Sequence, residues 1–283
     1  MNRRSFLGAA LCGALAGLRP VSHRRAFARP AGRRLSNVGL QLYTVREQLA
    51  ADFDGTLARV AALGFREVEF AGYHGRAPAQ VKTALRRNGL VAPSAHVSTA
   101  ELRGGLERVI EAANVIGHRY LVLGYVPAEE RRSLDDYRRL AEALNRAGER
   151  TRRAGIQLCY HNHDFEFGEV GGQIPYDLLL AETDARLVKM QLDLYWIAKA
   201  GRRAPDYFAG HPGRFPSLHV KDMDSTARRH FTEVGRGVID FKTIFAAAPR
   251  AGVRHYFVEQ DETSGSPFDS VKASLEYLKQ LRF

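Results

Sequence analysis

The stretch "LCYHNHDFEF", residues 158–167, opens as an apolar strand and then sets His161, His163, Asp164 and Glu166 within six residues. Two imidazoles and two carboxylates so close together can hold a divalent cation or move protons. They can also be no more than a polar turn. Other apolar runs finish on ionisable groups in the same way. "VKMQLD" ends on Asp193, "SLHVKD" carries His219 and Lys221, and "YFVEQ" carries Glu259, with Asp261 and Glu262 beyond it. Earlier runs end on Tyr43 and Arg46, on Glu69 and His74, and on His96. An apolar strand that ends on an ionisable group is unfavourable unless that group meets a partner or an ion. A single strand-end histidine reads as a hydrogen-bonded structural residue, and a single buried aspartate as a helix cap. His, Asp, His and Glu from four successive strands are instead the mixture that suits a divalent metal.

For these groups to meet, the elements that carry them must converge. From residue 37 to 283 strand-like and helix-like runs alternate without a low-complexity linker. The strand-like runs are "VGLQLY", "EVEF", "APSAH", "YLVLGYV", "QLCYH", "VKMQLD", "SLHVKD" and "YFVEQ". The helix-like runs cover residues 54–63, 79–88, 102–116, 134–154, 176–182, 204–209, 241–248 and 269–281. The strands show little polar alternation, as expected where both faces are covered. In the third helix Leu106, Val109, Ile110 and Ala113 form one apolar face. Glycine closes five helices just before a strand, in "ALGF", "RNGL", "VIGH", "RAGI" and "RAGV". Eight such units in this length predict a single (β/α)8 TIM barrel over residues 37–283, with its site at the C-terminal ends of the strands. No G-x-G-x-x-G follows the first strand, which argues against a dinucleotide-binding sheet.

The first residues are expected to be removed. Arg3 and Arg4 precede an uncharged stretch from Ser5 to Leu18, too short for a spanning helix, and "AFA" at residues 26–28 fits a small-x-small cleavage site. The pattern resembles a twin-arginine (Tat) export signal, which implies a periplasmic protein exported already folded. An uncleaved N-terminal anchor is the alternative. Loss of residues 1–28, which carry five arginines and no acid, would leave 255 residues and lower the formal charge from +11 to +6. Residues 29–36 read as a short linker. The remaining positive charge is interleaved with acids, as in "RRLAEALNRAGERTRR", and is not gathered into a stripe with aromatics between. That argues against a nucleic-acid partner. Cys12 would leave with the leader, so Cys159 would have no disulfide partner in its own chain and is expected to be buried.

The segments "GLQLYTVRE", "GFREVEF", "SAHVS", "CYHNHDFEF", "QLDLYW", "SLHVKDMD", "EVGRGVIDF" and "FVEQD" resemble the sugar phosphate isomerase/epimerase superfamily with the xylose isomerase-like TIM barrel. That superfamily also holds ketose 3-epimerases, inosose-processing enzymes and endonuclease IV. The resemblance covers nearly all of residues 37–283. It implies one divalent metal, Mn2+ foremost, with Zn2+, Mg2+ or Co2+ as alternatives. Asp193, His219 and Glu259 match three of the family's four ligands. The fourth is a glutamate in a segment that typically reads "L-x-L-E-N-H"; here "LCYHNH" puts His161 in its place. His161 is therefore the expected fourth ligand, with His163 and Glu166 as rivals and Asp164 expected to bond backbone in the turn.

The resemblance further implies proton abstraction next to a sugar carbonyl through a metal-stabilised enediolate. Glu259 is the expected base, His161 the second acid–base group, and Lys221 the cation that offsets oxyanion charge. Tyr43, Glu69, His96, His163, Trp196 and Arg236 are the expected substrate contacts. The partner would be a small-molecule carbohydrate, with no membrane contact after cleavage; a homo-oligomer is compatible with the sequence. Isomerisation or epimerisation is the first reading. A symmetrical two-glutamate exchange does not survive the His161 replacement, so a lyase or hydrolase of 3-keto-glycosides is the second. Endonuclease IV-type cleavage would need more ligands than these. A non-catalytic carbohydrate- or metal-binding protein is the reading of a different class.

Overall fold

The computed structural model describes residues 32–283. The expected leader, residues 1–28, lies outside the described residues, as does the start of the linker expected over 29–36. Among the described residues ten strands form: β1 (Gly39–Gln41), β2 (Glu67–Phe70), β3 (Val91–Val97), β4 (Tyr120–Leu123), β5 (Gln157–His161), β6 (Val188–Asp193), β7 (Ser217–Val220), β8 (Asp222–Met223), β9 (Phe231–Thr232) and β10 (His255–Val258). All but β8 and β9 close into a parallel barrel in which β10 pairs with both β7 and β1. The short β8 and β9 pair antiparallel in the connection after β7. The fold is the single (β/α)8 barrel expected from the eight strand–helix units. No helix among the described residues is long and apolar enough to cross a membrane.

Period two along each strand divides its side chains between two environments. Leu40, Val68, Leu158, Met190, Leu192 and Leu218 are fully buried in the main core, together with helix residues such as Leu57, Val60 and Leu144. Tyr120, Val122 and Cys159 form a separate small cluster. Gly39 on β1 is required, because a Cβ there would stand 2.5 Å from the Phe257 ring. Cys159 is a free thiol and buried, as expected.

Helix stops follow the glycine signal. Gly64 and Gly117 cap the helices Phe53–Leu63 and Leu106–Ile116 at φ 103° and 104°, the left-handed region that a Cβ disfavours. Three local departures from expectation bear on the site. The run expected as one helix over 102–116 is two, Thr99–Gly104 and Leu106–Ile116, because Gly105 leaves the helical region at φ −130°. The first strand stops at Gln41, whose side chain accepts the Tyr43 amide at 3.0 Å and turns the chain into a 3₁₀ helix, Leu42–Val45. After β6 an additional helix, Leu194–Lys199, starts on Asp193, whose Oδ1 accepts the amides of Tyr195 and Trp196 at 2.8 and 2.9 Å. Asp193 thus caps a helix with one oxygen and keeps the other for a different purpose.

Candidate active site

Toward their C-terminal ends the strands place polar side chains together on the barrel axis. Glu69 on β2 is the hub. Its Oε2 accepts Gln41 Nε2 at 2.7 Å and His219 Nε2 at 2.6 Å, and His96 Nε2 lies 3.2 Å away. Its Oε1 accepts Gln191 Nε2 at 2.7 Å and the Ser94 hydroxyl. Burial favours its protonated form, but the charges of His96 and His219 and their hydrogen bonds outweigh that and hold it well below the usual carboxylate range. With both oxygens taken by protein donors, Glu69 orients its neighbours and is not free to meet a substrate.

Around this hub Asp193, His219 and Glu259 bring one ligand atom each to within 4.8 Å of one another. His219 Nδ1 is 2.7 Å from Glu259 Oε2 and 3.9 Å from Asp193 Oδ2. Burial lowers the His219 pKa, but Glu259 and Glu69 overcome this and raise it to about 10. Because Nε2–H donates to Glu69, loss of a proton leaves the Nδ1 lone pair turned toward Glu259 and Asp193. Metal-ligating histidines are commonly fixed in this way.

Lys221, only 2% exposed, puts its Nζ 2.7 Å from Glu259 Oε2, 2.7 Å from Asp261 Oδ1 and 3.1 Å from Asp193 Oδ2. The contact with Asp193 lacks hydrogen-bond geometry, so Asp193 Oδ2 is a buried acceptor with no hydrogen bond. Burial alone would lower the Lys221 pKa; Asp193, Glu259 and Asp261 raise it well above its ordinary value. Burial likewise raises the Glu259 carboxyl, but Lys221 and His219 hold it far below. Burial pushes Asp261 up to about 6 against the pull of Lys221.

His161 faces the same centre. Its Nε2 is 3.9 Å from Asp193 Oδ2 and its Nδ1 is 3.2 Å from the Gln191 amide oxygen. Burial first, then the neighbouring His219, His163, His96 and Lys221, push its pKa well below 6.5, so the ring is neutral. A neutral ring that donates from Nδ1 to Gln191 keeps its Nε2 lone pair for Asp193's neighbourhood. Ligands each about 2.1 Å from one ion lie roughly 3–4 Å apart, which these separations from Asp193 Oδ2 satisfy. A carboxylate oxygen without a hydrogen bond, two orientable imidazoles and Glu259 fit a divalent cation. A proton on His219 and the ammonium of Lys221 also bring positive charge to these carboxylates.

The rivals for the fourth position are placed differently. Glu166, fully buried, accepts the Tyr160 hydroxyl at 2.5 Å and the His163 amide at 2.7 Å, so its oxygens are engaged in holding the loop. Burial pushes it up to about 7, with those two donors opposing. His163 stacks on Phe165 at 5.3 Å, and its Nδ1 is buried without a partner; burial and the Lys221 charge lower its pKa to about 3. Asp164 does not cap the turn as expected: its side chain makes no capping bond and lies 3.9 Å from Lys199. The 3₁₀ turn Phe165–Phe167 leaves its carboxylate facing solvent.

A cavity of about 940 Å³ opens above this centre; Tyr43, His96, His161, His163, Lys221, Glu259 and Asp261 all line it. Gly124 also lines it, and only glycine fits there, since a Cβ would stand 2.4 Å from His96 Nδ1. Of the expected substrate contacts, Tyr43, His96 and His163 reach the cavity, and Glu69 sits beneath as the hub. Trp196 is not on the wall; it packs beside His163 at 5.3 Å with Lys221 Nζ 5.7 Å from its ring centre. Arg236 stands apart: it is exposed and pairs with Glu233 at 3.2 Å, three residues earlier. Sequence reading passed over Gln41, Ser94, Gln191 and Asn162. Ser94 and Gln191 sit two residues before His96 and Asp193, so strand periodicity alone points them inward. Asn162 fixes β6 to the loop by accepting the Asp193 amide at 3.0 Å.

The profile of the xylose isomerase-like TIM barrel family matches residues 57–281. The chain belongs to this family. As a xylose isomerase-like barrel it is similar to enzymes. An inosose dehydratase of Lacticaseibacillus casei is 29% identical over 163 residues, 51% of this chain and 54% of that one. The chain thus spans about half the length of that relative. The inosose dehydratase of Geobacillus thermodenitrificans is 24% identical over 267 residues, covering 81% of this chain and 89% of its own. Among solved xylose isomerase-like barrels, a sugar phosphate isomerase/epimerase from Parabacteroides distasonis superposes with a TM-score of 0.75 at 26% identity, covering 92% of this chain and 98% of that one.

Proposed function

We propose that this protein is an enzyme that abstracts a proton from the carbon next to a carbonyl of a carbohydrate, with a divalent ion, Mn2+ foremost, held by Asp193, His219, Glu259 and His161. The observation that carries this is the buried Asp193 Oδ2, which lacks a hydrogen bond and lies 3.9 Å from both His161 Nε2 and His219 Nδ1. When bound, such an ion polarises substrate oxygens as a Lewis acid. Glu259 lines the cavity in ionised form and takes the proton. Lys221, on the same wall, offsets negative charge that grows on the substrate oxygen. His96 and His163 meet the sugar hydroxyls, and Glu69 with Gln191 keeps the imidazoles in register.

The likeness to sugar isomerases and epimerases supports isomerisation or epimerisation. One observation favours the second reading, elimination from a 3-keto-glycoside. Two-face epimerisation needs a second base opposite Glu259. His161, which stands where that glutamate would be, has its Nδ1 on the Gln191 amide oxygen at 3.2 Å and its Nε2 turned toward Asp193 Oδ2, so as a ligand it has no nitrogen left to take a proton. The leader expected over residues 1–28 supports export to the periplasm, where glycosides are the more accessible class.

The test is exchange of the α-proton of keto-sugars in deuterated water, followed by NMR. We expect exchange that needs added divalent metal and falls by about 10²-fold or more in Glu259→Gln. Exchange that persists in chelator, or in Glu259→Gln, sinks the mechanism. Ligand retention with no exchange would make the chain a binding protein.

A further inference from the structure

The cavity is larger than the chemistry requires. At about 940 Å³ it lies near the upper end of the roughly 300–1,000 Å³ that holds drug-sized ligands. A single sugar ring over Glu259 and Lys221 would leave much of it to water. The additional space runs toward the chain after β3 and β4 and the helix Leu106–Ile116, where Val97, Val109, Ala112, Tyr125 and Pro127 make the wall. Two aromatic rings are strongly exposed and line the same cavity, Tyr43 at 42% and Tyr125 at 49%. Arg46 covers the Tyr43 ring at 4.3 Å. Tyr125 meets His163 and Phe165 edge-on, at 5.3 and 6.0 Å. Exposed tyrosine at a cavity rim is a stacking platform for a flat apolar group.

Charge on the wall works against a phosphate group. Its cations are Arg108 and Lys221, and Lys221 is committed to three carboxylates. Glu101, Glu259 and Asp261 oppose them. The helix Thr99–Gly104 begins on this wall, but Glu101 already accepts the Ser98 amide at 2.8 Å and fills the place an anion would take.

We propose that the substrate is an uncharged glycoside, its keto-sugar ring over Glu259 and its aromatic aglycone in the outer lobe between Tyr125 and Ala112. This rests on the proton-abstraction reading above and narrows it to a substrate class. The aglycone contributes binding by burial against Val97, Val109 and Ala112, and the sugar carries the chemistry.

The experiment uses the full metal-loaded protein with three probes: 4-nitrophenyl 3-keto-glucoside, methyl 3-keto-glucoside and 3-keto-glucose 6-phosphate. Binding is measured by calorimetry, and α-proton exchange is followed in the same samples. We expect the aryl glycoside to bind about ten-fold or more tighter than the methyl glycoside, and the phosphate to bind most weakly. Ala112→Phe, which fills the lobe, and Tyr125→Ala, which removes an exposed ring, each shrink the aryl-over-methyl ratio toward one. Equal binding of the two glycosides, a ratio unchanged in both variants, or tightest binding of the phosphate overturns the proposal. If exchange occurs without the aryl preference, only the substrate assignment fails. If the aryl preference appears without any exchange, the lobe stands and the proton-abstraction reading fails.

Discussion

Replacing Lys221 by methionine removes a charge and little volume. Its Nζ lies 2.7 Å from Glu259, 2.7 Å from Asp261 and 3.1 Å from Asp193. At an effective dielectric near 20, a unit pair about 3 Å apart attracts by roughly 5–6 kcal/mol, and desolvation of the buried ions offsets much of that. Taking away one partner leaves the acids uncompensated and costs about 3–5 kcal/mol. For a domain of this size that lowers Tm by roughly 10 °C. The same carboxylates then attract a divalent cation without an ammonium to displace. Lys221→Met should therefore melt about 10 °C below the parent in chelator at neutral pH, regain most of the loss on titration with Mn2+ or Zn2+, and bind the ion more tightly than the parent. Circular dichroism melts along a metal titration give both quantities. A variant that melts within about 2 °C of the parent in chelator, or that gains no more from metal than the parent, refutes the idea that Lys221 shares the cation site.

Gly124→Ala should act on the site with little effect on the fold. Its Cβ would stand 2.4 Å from His96 Nδ1, and a reacting-group shift of about 1 Å can cost 10²-fold in rate; exchange should fall at least ten-fold while Tm drops by only a few degrees, and unchanged exchange would show that His96 takes no part. Glu166→Gln should flatten a pH dependence. Burial raises the folded Glu166 pKa to about 7 from 4.5, so the native state binds the extra proton and stability falls as pH rises from about 4.5 through 7. The loss is about 3 kcal/mol at pH 8. The glutamine variant should equal the parent near pH 4 and exceed it at pH 8 in urea denaturation; the reverse order would mean the Tyr160 and His163 donors dominate over burial.

The barrel was legible because its strands are short buried runs between glycine-stopped helices. β2, β5 and β6 match the expected runs "EVEF", "QLCYH" and "VKMQLD" residue for residue. The ends fared worse where a side chain overrode propensity, as Gln41 does in stopping β1 by bonding the Tyr43 amide. The strand-end acids and histidines could be picked out because ionisable groups are conspicuous after apolar runs. Gln41, Ser94 and Gln191 were not, since neutral polar residues occur inside many strands, and only their two-residue offset from His96 and Asp193 marks the latter pair. Arg236 shows the converse. Its charge drew attention, yet Glu233 three residues earlier gives that charge a local partner at 3.2 Å. The cavity's outer lobe depends on how the break at Gly105 sets two helices, which no local pattern declares.

The ties of Glu69 to Gln41, Ser94, Gln191, His96 and His219 have a consequence for how such a barrel can diversify. Those partners sit on four other strands, so a change at any one leaves a buried donor or acceptor stranded on another. Single substitutions at the hub are strongly epistatic, and a lineage could alter it only by several concerted replacements. The rim residues Tyr125, in the chain after β4, and Ala112, on the helix Leu106–Ile116, carry no such ties. New substrate preferences are therefore reachable one mutation at a time at the rim, while the floor drifts as a unit or hardly at all.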